Sequence, residues 1–235
     1  MKKIIIENDF WDIFPEAKIG VVVCRGINNF IQDDKKYENM ILDAEKEAMN
    51  YLENANFSDN EVIKVWRDAF KKFKTKKGAR ASIEALLKRI YNGNHLGTIN
   101  PLVDIYNSIS LSYALPCGGE DIDKFVGDIR LTKAVGNENF ITLGSNESAQ
   151  PYEGEIVYKD DKGTICRCLN WRESVRTMLT ENTKNAILCM EFVDNERIKD
   201  LKNALEELGG RIKDNLGGTY KIEILDINNK STEIE

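Results

Sequence analysis

The chain has 235 residues, 42% of them hydrophobic and 31% charged, which is the composition of a globular protein with an ordinary core. No apolar run approaches the ~20 residues that span a bilayer, and acidic residues soon interrupt the short apolar run near the N-terminus, so we expect a cytoplasmic protein without a membrane partner. The net charge of −6 argues mildly against a dedicated nucleic-acid binder, and we expect no DNA partner.

Thiol and imidazole chemistry is limited by the residues present. The five cysteines are an odd number without a secretory signal, which favours reduced thiols: Cys24, Cys117, Cys166, Cys168 and Cys189. His95 is the only histidine, so neither a zinc site nor a histidine-based triad is expected. We therefore predict no metal and no cofactor.

The first part of the chain predicts short strands and then amphipathic helices. Residues 3–6 and 18–27 are rich in β-branched side chains, which is typical of strands. Apolar side chains at helical spacing predict helices over residues 33–54, from a Ser58–Glu61 capping box to Phe73, and from Ser82 to Ile90.

A basic stretch separates the last two of these helices. Within residues 71–80, six side chains are cationic: Lys71, Lys72, Lys74, Lys76, Lys77 and Arg80. One interpretation is a solvated helix end, where cations also favour the helix dipole. The other is a surface that contacts the phosphates of a nucleic acid.

Residues 99–124 form the stretch around which the chain is organised. Asn100 is a good N-cap and Pro101 suits a first helical turn. Apolar side chains at helical spacing follow, with Asn107 beside them, and Pro116 blocks continuation. Gly118 and Gly119 then predict an elbow whose backbone N–H groups can approach a ligand closely.

The second part of the chain predicts mainly strands. These cover residues 128–135, 140–143, 154–158, 164–171, 186–193 and 220–227, with a helix over 195–215. Residues 160–163 are typical of a hairpin turn. Helices early and antiparallel strands late favour an α+β fold with a mixed, mainly antiparallel sheet packed with helices.

Residues 170–174 place a Trp, an Arg and a Glu together at the end of a predicted strand. A surface ion pair over an aromatic ring is one interpretation of Trp171, Arg172 and Glu173. The other is a pocket rim on which the aromatic packs, the Arg binds an anion and the Glu holds an amine.

The central stretch resembles the editing domain of the beta subunit of bacterial phenylalanyl-tRNA synthetase. That family has Asn-Asn-Val-Val-Asp-Val-Thr-Asn followed by Pro-Leu-His-Ala-Phe-Asp, and this chain has Ile-Asn-Pro-Leu-Val-Asp-Ile-Tyr-Asn and then Leu-Pro-Cys-Gly-Gly-Glu-Asp. Further similar segments occur in the same order, at residues 80–89, 127–134, 137–143 and 183–191. The aminoacylation core is not among the matching segments, so the chain resembles a free-standing relative of the editing domain.

The resemblance implies the editing-domain fold within a single domain, residues 1–235. Its parts would be an N-terminal extension of strands and helices over 1–79, the matching region over 80–193, and a C-terminal helix and strand over 194–235. It also implies binding of the aminoacylated end of tRNA and hydrolysis of mischarged amino acids by a trans-acting deacylase, with tRNA and the amino acid moiety as partners. A non-catalytic module that keeps the pocket is the alternative.

Site residues follow from the resemblance together with the local motifs above. Catalytic roles fall on Gly118, Gly119, Glu120 and Glu173, whose backbone donors would polarise the ester and whose carboxylates would hold the α-ammonium or orient water. Substrate-binding roles fall on Tyr106, Asn107, Asn170, Trp171 and Arg172. The six cations of residues 71–80 would bind tRNA. Gly118 stands where the family has its elbow histidine.

Overall fold

The computed structural model describes residues 1–30, 34–142, 144–145 and 147–235. The helices are α1 (Asn8–Trp11), α2 (Asp34–Ala48), α3 (Glu61–Phe70), α4 (Ser82–Tyr91), α5 (Pro101–Tyr113) and α6 (Ile198–Leu216). The strands are β1 (Lys3–Ile6), β2 (Lys18–Arg25), β3 (Gly118–Asp121), β4 (Ile129–Lys133), β5 (Ile156–Asp160), β6 (Gly163–Arg167), β7 (Arg172–Glu173), β8 (Asn185–Phe192), β9 (Thr219–Leu225) and β10 (Ser231–Glu233). Among the helices of these described ranges, none combines the length and apolar character that crossing a bilayer requires.

The strands form two sheets. The large sheet has the order β10-β1-β4-β5-β6-β7, and the small sheet has the order β3-β8-β2-β9. Neighbouring strands run antiparallel except β1 and β4, which are parallel. The predicted α+β class with a mixed, mainly antiparallel arrangement is confirmed.

The small sheet separates two hydrophobic clusters because side chains alternate across a strand. Val21 and Ile187 face the large sheet and pack with Ile4, Ile129 and Tyr158. On the opposite face Val22, Cys24 and Leu188 pack with apolar side chains of α5 and α6. The space between the two sheets is where the candidate site lies.

The central helix forms as predicted, but the elbow after it does not. Asn100 caps α5 by accepting a hydrogen bond from the Val103 N–H at 3.2 Å, and Pro101 is the first helical residue. Residues 118–121 are strand β3, in which Gly118 lies opposite Cys189 and Asp121 opposite Ala186. The glycine elbow is therefore wrong, because the free edge of β8 recruits this segment into the small sheet.

The N-terminal part is integral to the sheets. β2 lies between β8 and β9 at the centre of the small sheet. The capping box was also wrong: Ser58 lies in the 3₁₀ turn Phe57–Asp59, and Asn60 precedes α3. Because α3 ends at Phe70, residues 71–80 form a loop, here called the basic loop. The sequence predicts that the helix corresponding to α2 starts at residue 33, which lies outside the described residues.

The predicted hairpin is confirmed, with Asp160 paired to Gly163 across a two-residue turn. Strand β6 stops at Arg167, earlier than predicted, because Cys168 and Leu169 adopt left-handed φ values of 47° and 64°. The strand predicted over 140–143 is reduced to isolated bridges at Ile141 and Thr142, and residue 143 lies outside the described residues.

Candidate functional site

A cavity of about 50 Å³ lies between the two sheets and is here called the inter-sheet cavity. Three carboxylates line it: Glu120 from β3, Glu173 from β7 and Glu191 from β8. Its remaining walls are aliphatic side chains, thiols and the start of α4. A small, mostly apolar space that concentrates three carboxylates is an unusual environment, because burial disfavours each ionised form.

Glu191 is the best-satisfied carboxylate of the three. It accepts a hydrogen bond from the Tyr158 hydroxyl at 2.7 Å and another from the Asn170 amide at 2.8 Å. Burial raises the pKa of Glu191, and these two hydrogen bonds oppose the shift. The Tyr158–Glu191 bond joins the large sheet to the small sheet across the cavity.

Glu173 points from β7 toward the backbone of β3. A Cβ atom built on Gly118 would lie only 3.0 Å from its Oε1 atom, so a side chain at position 118 would crowd this carboxylate. Burial raises the pKa of Glu173 to about 7, a hydrogen bond from the Gly119 N–H opposes the shift, and the charge of Glu191 adds to it. The residue is half-buried, and its carboxylate lines the cavity.

Glu120 is the cavity carboxylate with the fewest hydrogen-bond partners among the described residues. Its side chain is 9% exposed, and neither carboxylate oxygen has a hydrogen-bond partner of normal geometry among the described residues. Burial, followed by the charge of Glu173, raises the pKa of Glu120 well above its usual range, while Thr177 and Arg176 oppose the shift. The Arg176 guanidinium is already bound to both carboxylate oxygens of Asp160, at 2.7 and 2.9 Å.

The turn between β6 and β7 holds Asn170 in position. Two consecutive left-handed residues form it, and the Leu169 N–H donates to the Ile156 carbonyl at 2.7 Å. Asn170 then accepts from the Ser82 N–H at 3.2 Å while its amide donates to Glu191. Strained left-handed backbone at non-glycine residues is often found at functional sites. Here it links the start of α4 to a cavity carboxylate.

The backbone donors predicted at the glycines already have partners. Gly118 and Glu120 lie opposite Cys189 and Ile187 in the ladder between β3 and β8, and the Gly119 N–H donates to Glu173. The ladder thus uses the Gly118 N–H, and presentation of the glycine N–H groups to an ester stays a prediction.

The structure does not bring the predicted aromatic side chains to the cavity. Tyr106 packs behind Gly119 in the cluster on the far face of the small sheet. Trp171 packs against the cluster between the sheets, and the exposed Arg172 guanidinium lies 5.4 Å from its ring centroid. Asn107 is half-buried on α5 and does not line the cavity. The prediction that Tyr106 and Trp171 share a cavity is wrong, since Tyr106 is on α5 at the far face of the small sheet whereas Trp171 packs between the sheets.

The basic loop lies next to the site. Its chain leads directly into Ser82, and the backbone of Lys76 faces the Cys168 thiol in the turn that carries Asn170. Lys71 pairs with Asp68 at 2.7 Å, and the Lys72 ammonium lies 5.5 Å from the Phe14 ring centroid. The other four cations are Lys74, Lys76, Lys77 and Arg80, of which Lys76 is half-buried and the rest are exposed.

Sequence reasoning missed Ser82, Tyr158 and Glu191 as site residues. Ser82 is the first residue of α4 as predicted, Ala81 occupies the N-cap position, and the Ser82 hydroxyl is buried without a partner in the described part of the chain. The sequence could have pointed to Glu191, because it is a charged residue in an otherwise apolar strand and lies on the same face as Ile187 and Cys189. Within the described ranges, no group of three or more His, Cys, Asp or Glu side chains has an arrangement that could hold a metal ion.

Comparison with known proteins gives the family. The sequence profile of the B3/4 domain matches residues 65–207, which is more than half of the chain. The chain belongs to the B3/4 domain family. The matched B3/4 region contains all three cavity carboxylates and the basic loop.

The B3/4 relatives include phenylalanine–tRNA ligase beta subunits. That of Mycoplasmoides gallisepticum is 34% identical over 111 residues, covering 47% of this chain and 14% of the relative. That of Fusobacterium nucleatum is 23% identical over 206 residues, covering 87% and 25%. A solved N-terminal fragment of the Pyrococcus horikoshii phenylalanyl-tRNA synthetase beta-subunit has 14% identity and a TM-score of 0.47, covering 92% of this chain and 49% of that one. The predicted relation to the beta subunit is confirmed, and the chain spans a quarter or less of the length of these curated relatives.

Proposed function

We propose that the chain binds the aminoacylated end of tRNA and hydrolyses wrongly attached amino acids, as a trans-acting aminoacyl-tRNA deacylase. Membership of the B3/4 family and relatives named as beta subunits of phenylalanine–tRNA ligase support a tRNA-related role. The proposal treats residues 1–235 as one editing-like unit, and the cytoplasmic location stays a prediction.

The observation that carries the proposal is the carboxylate of Glu173 in the lining of the small inter-sheet cavity. An aminoacyl ester has a cationic α-ammonium next to its reactive carbonyl, and a carboxylate is the natural partner of that ammonium. Pairing with Glu173 would place the amino acid moiety in the cavity and the ester at the mouth beside Gly118. Because Glu173 is partly desolvated, this ion pair is stronger than one at a free surface.

The chemistry required is modest because an aminoacyl ester is already activated. The buried Ser82 hydroxyl, which lacks a partner among the described residues, is the group free to orient water at the start of α4. The helix N-terminus favours negative charge, so an oxyanion formed there is stabilised. A ribose hydroxyl beside the ester can assist, and no histidine is needed. The basic loop beside Ser82 would bind the phosphates of the acceptor end.

A second candidate function is a binding module that retains the pocket without hydrolysis. One observation favours it: the Gly118 and Gly119 N–H groups, which the deacylase prediction assigned to the ester, are used within the fold. In that case the cavity would bind an aminoacylated tRNA end or a free amino acid and release it unchanged.

A panel of mischarged tRNAs separates the two candidates. We expect the full chain to deacylate at least one member, and Glu173→Gln to lower that rate tenfold or more, since ~1.4 kcal/mol is tenfold in rate and a charged hydrogen bond contributes roughly 1.5–3 kcal/mol. Glu206→Gln, at an exposed position of α6, is the matched control and should keep the wild-type rate. Binding of a mischarged tRNA without hydrolysis of any would favour the module.

A further inference from the structure

The carboxyl group of Glu120 lacks a hydrogen bond of normal geometry within the described part of the fold. It is buried in the wall of the inter-sheet cavity, and neither oxygen has a hydrogen bond of normal geometry from a described residue, although the Thr177 hydroxyl faces it. Glu191 has two donors, and the oxygens of Glu173 are not among the described buried groups that lack a partner. A buried polar group without a partner is expensive, and in a native structure it points to a ligand or a functional role.

The cavity also lacks a basic side chain among its described lining residues. Among its lining residues, all of which lie in the described ranges, there is no Lys, Arg or His. Arg176 approaches Glu120 closely enough to lower its pKa, but the guanidinium is held by Asp160 through two short hydrogen bonds. A cation inside the cavity that pairs with Glu120 would therefore come from a ligand.

The kind of cation follows from the walls and the volume. The described carboxylates and thiols do not form a group that could hold a metal ion, whereas Ile129 and Ile187 offer apolar surface for methylene groups. A volume of about 50 Å³ is roughly a third of the ~150 Å³ cavity that binds benzene, so an aromatic side chain does not fit. A short alkyl chain ending in an ammonium group fits both features.

We propose that the amino acid moiety accepted by this cavity is a short diamino acid, with its side-chain ammonium bound by Glu120 and its α-ammonium bound by Glu173. This inference rests on the proposed function, because it assigns the substrate class of the same site. The chemical class is that of 2,4-diaminobutyric acid and its close homologues.

The expected selectivity depends on the group that each ligand presents to Glu120. A side-chain ammonium gives Glu120 its missing ion pair inside a partly desolvated site, where charge-assisted hydrogen bonds are strong. A methyl group of the same shape leaves the carboxyl group buried and unpaired, and a hydroxyl group supplies one neutral donor. The preference for the diamino ligand should therefore be at least tenfold, which is about 1.4 kcal/mol.

Non-hydrolysable amides test this directly with the full chain. Calorimetric affinities for 2,4-diaminobutyramide, norvalinamide and homoserine amide compare an ammonium, a methyl and a hydroxyl at one position, with the α-ammonium kept constant. We expect the diamino amide to bind at least tenfold more tightly than either isostere. Equal affinity for the three amides, or no detectable binding of the diamino amide at millimolar concentration, would overturn the inference.

A variant locates the preference at Glu120. Glu120→Gln should bind norvalinamide within twofold of the wild type and reduce the preference for the diamino amide to threefold or less, and Glu206→Gln should keep it. If Glu120→Gln does not fold, the comparison of ligands on the wild-type chain still decides, and Thr177→Val tests the same wall through the hydroxyl that faces Glu120. An unchanged preference in folded Glu120→Gln would assign the selectivity elsewhere and refute the role of this carboxylate.

The two levels of the proposal fail in different ways. Hydrolysis of a tRNA carrying a neutral amino acid, with no preference for the diamino amide, would refute the substrate class and leave the deacylase standing. A preference for the diamino amide with no hydrolysis of any mischarged tRNA, a diaminobutyryl-tRNA included, would support the substrate class and refute the deacylase.

Discussion

Replacing Gly119 by alanine should destabilise the protein, whereas the same change at Gly118 should not. The two glycines are adjacent in β3 and point to opposite faces of the small sheet. A Cβ atom at position 119 would lie 2.9 Å from Leu179 Cδ1 and 3.4 Å from both Leu188 and Tyr106. At position 118 it would meet only Glu173 Oε1, at 3.0 Å, the far end of a flexible side chain.

The magnitude follows from these distances. Overpacking a filled core typically lowers the free energy of unfolding by about 1–3 kcal/mol, and replacing a strand glycine by alanine returns roughly 0.5–1 kcal/mol of backbone entropy. Gly119→Ala should therefore lower the free energy of unfolding by about 1–2 kcal/mol net. Gly118→Ala should leave it unchanged or raise it slightly, because Glu173 can move.

Urea denaturation of both variants beside the wild type measures the difference as a shift in midpoint at constant slope. The pair is its own control, since the two substitutions are chemically identical and one residue apart. If Gly118→Ala proved less stable than Gly119→Ala, the faces of β3 would be reversed. The carboxylates of Glu120 and Glu173 would then not share the inter-sheet cavity.

Two further predictions concern the basic loop and a buried ion pair. Alanine at four loop cations should weaken tRNA binding and flatten its salt dependence by roughly 0.7–0.9 in slope for each lost phosphate contact; the cations are Lys72, Lys74, Lys76 and Lys77. Filter binding at several salt concentrations measures the affinity for tRNA and its salt dependence. The control replaces Lys199, Lys202 and Lys213 of α6 with alanine. An unchanged slope in the loop variant would mean that the loop is solvated and does not contact phosphates. Arg167→Ala should lower the free energy of unfolding by about 3–5 kcal/mol, because it leaves the fully buried Glu155 without its partner. In urea titrations, the double variant Arg167→Met with Glu155→Leu should recover most of that loss. If Arg167→Ala were as stable as this double variant, the unpaired Glu155 would not be the cause of the loss.

Local signals predicted much of the fold. The Asn100 cap, the Pro101 start and the apolar period of α5 depend on residues a few positions apart, and they appear as expected. The hairpin at Asp160–Gly163 also follows from its own turn residues. These elements need no knowledge of distant partners.

The errors came from pairings between distant segments. Residues 118–121 have the glycines of a loop, and only the free edge of β8, about seventy residues later, makes them a strand. The same pairing uses the Gly118 N–H, one of the two backbone donors predicted for catalysis. It also assigns the faces of β8 and so places Glu191 in the cavity, since a strand's faces are assigned only once its neighbours are known. The resemblance located the right part of the chain but could not supply this geometry.

The acidity of the cavity leads to a last prediction, on stability against pH. Burial raises the pKa of Glu173 to about 7, above its ordinary value of 4.5. Between these values the folded state binds more protons than the unfolded state, so the contribution of Glu173 to stability falls as pH rises from about 4.5 to about 7. Above pH 7 the ionised group lowers the free energy of unfolding by about 3 kcal/mol relative to a neutral one.

Glu173→Gln removes this titration while keeping the shape of the side chain. Its free energy of unfolding should therefore exceed that of the wild type by about 2–3 kcal/mol at pH 8, and by little at pH 5, where the native carboxyl is already protonated. Urea titrations at the two pH values measure this, with Glu206→Gln as a control that should match the wild type at both. A variant that is less stable than the wild type at pH 8 would show that Glu173 is not a buried, poorly solvated acid. A gain of this kind would also mean that the ionised Glu173 carboxylate is unfavourable in the folded protein, which is the form that an ammonium group would stabilise.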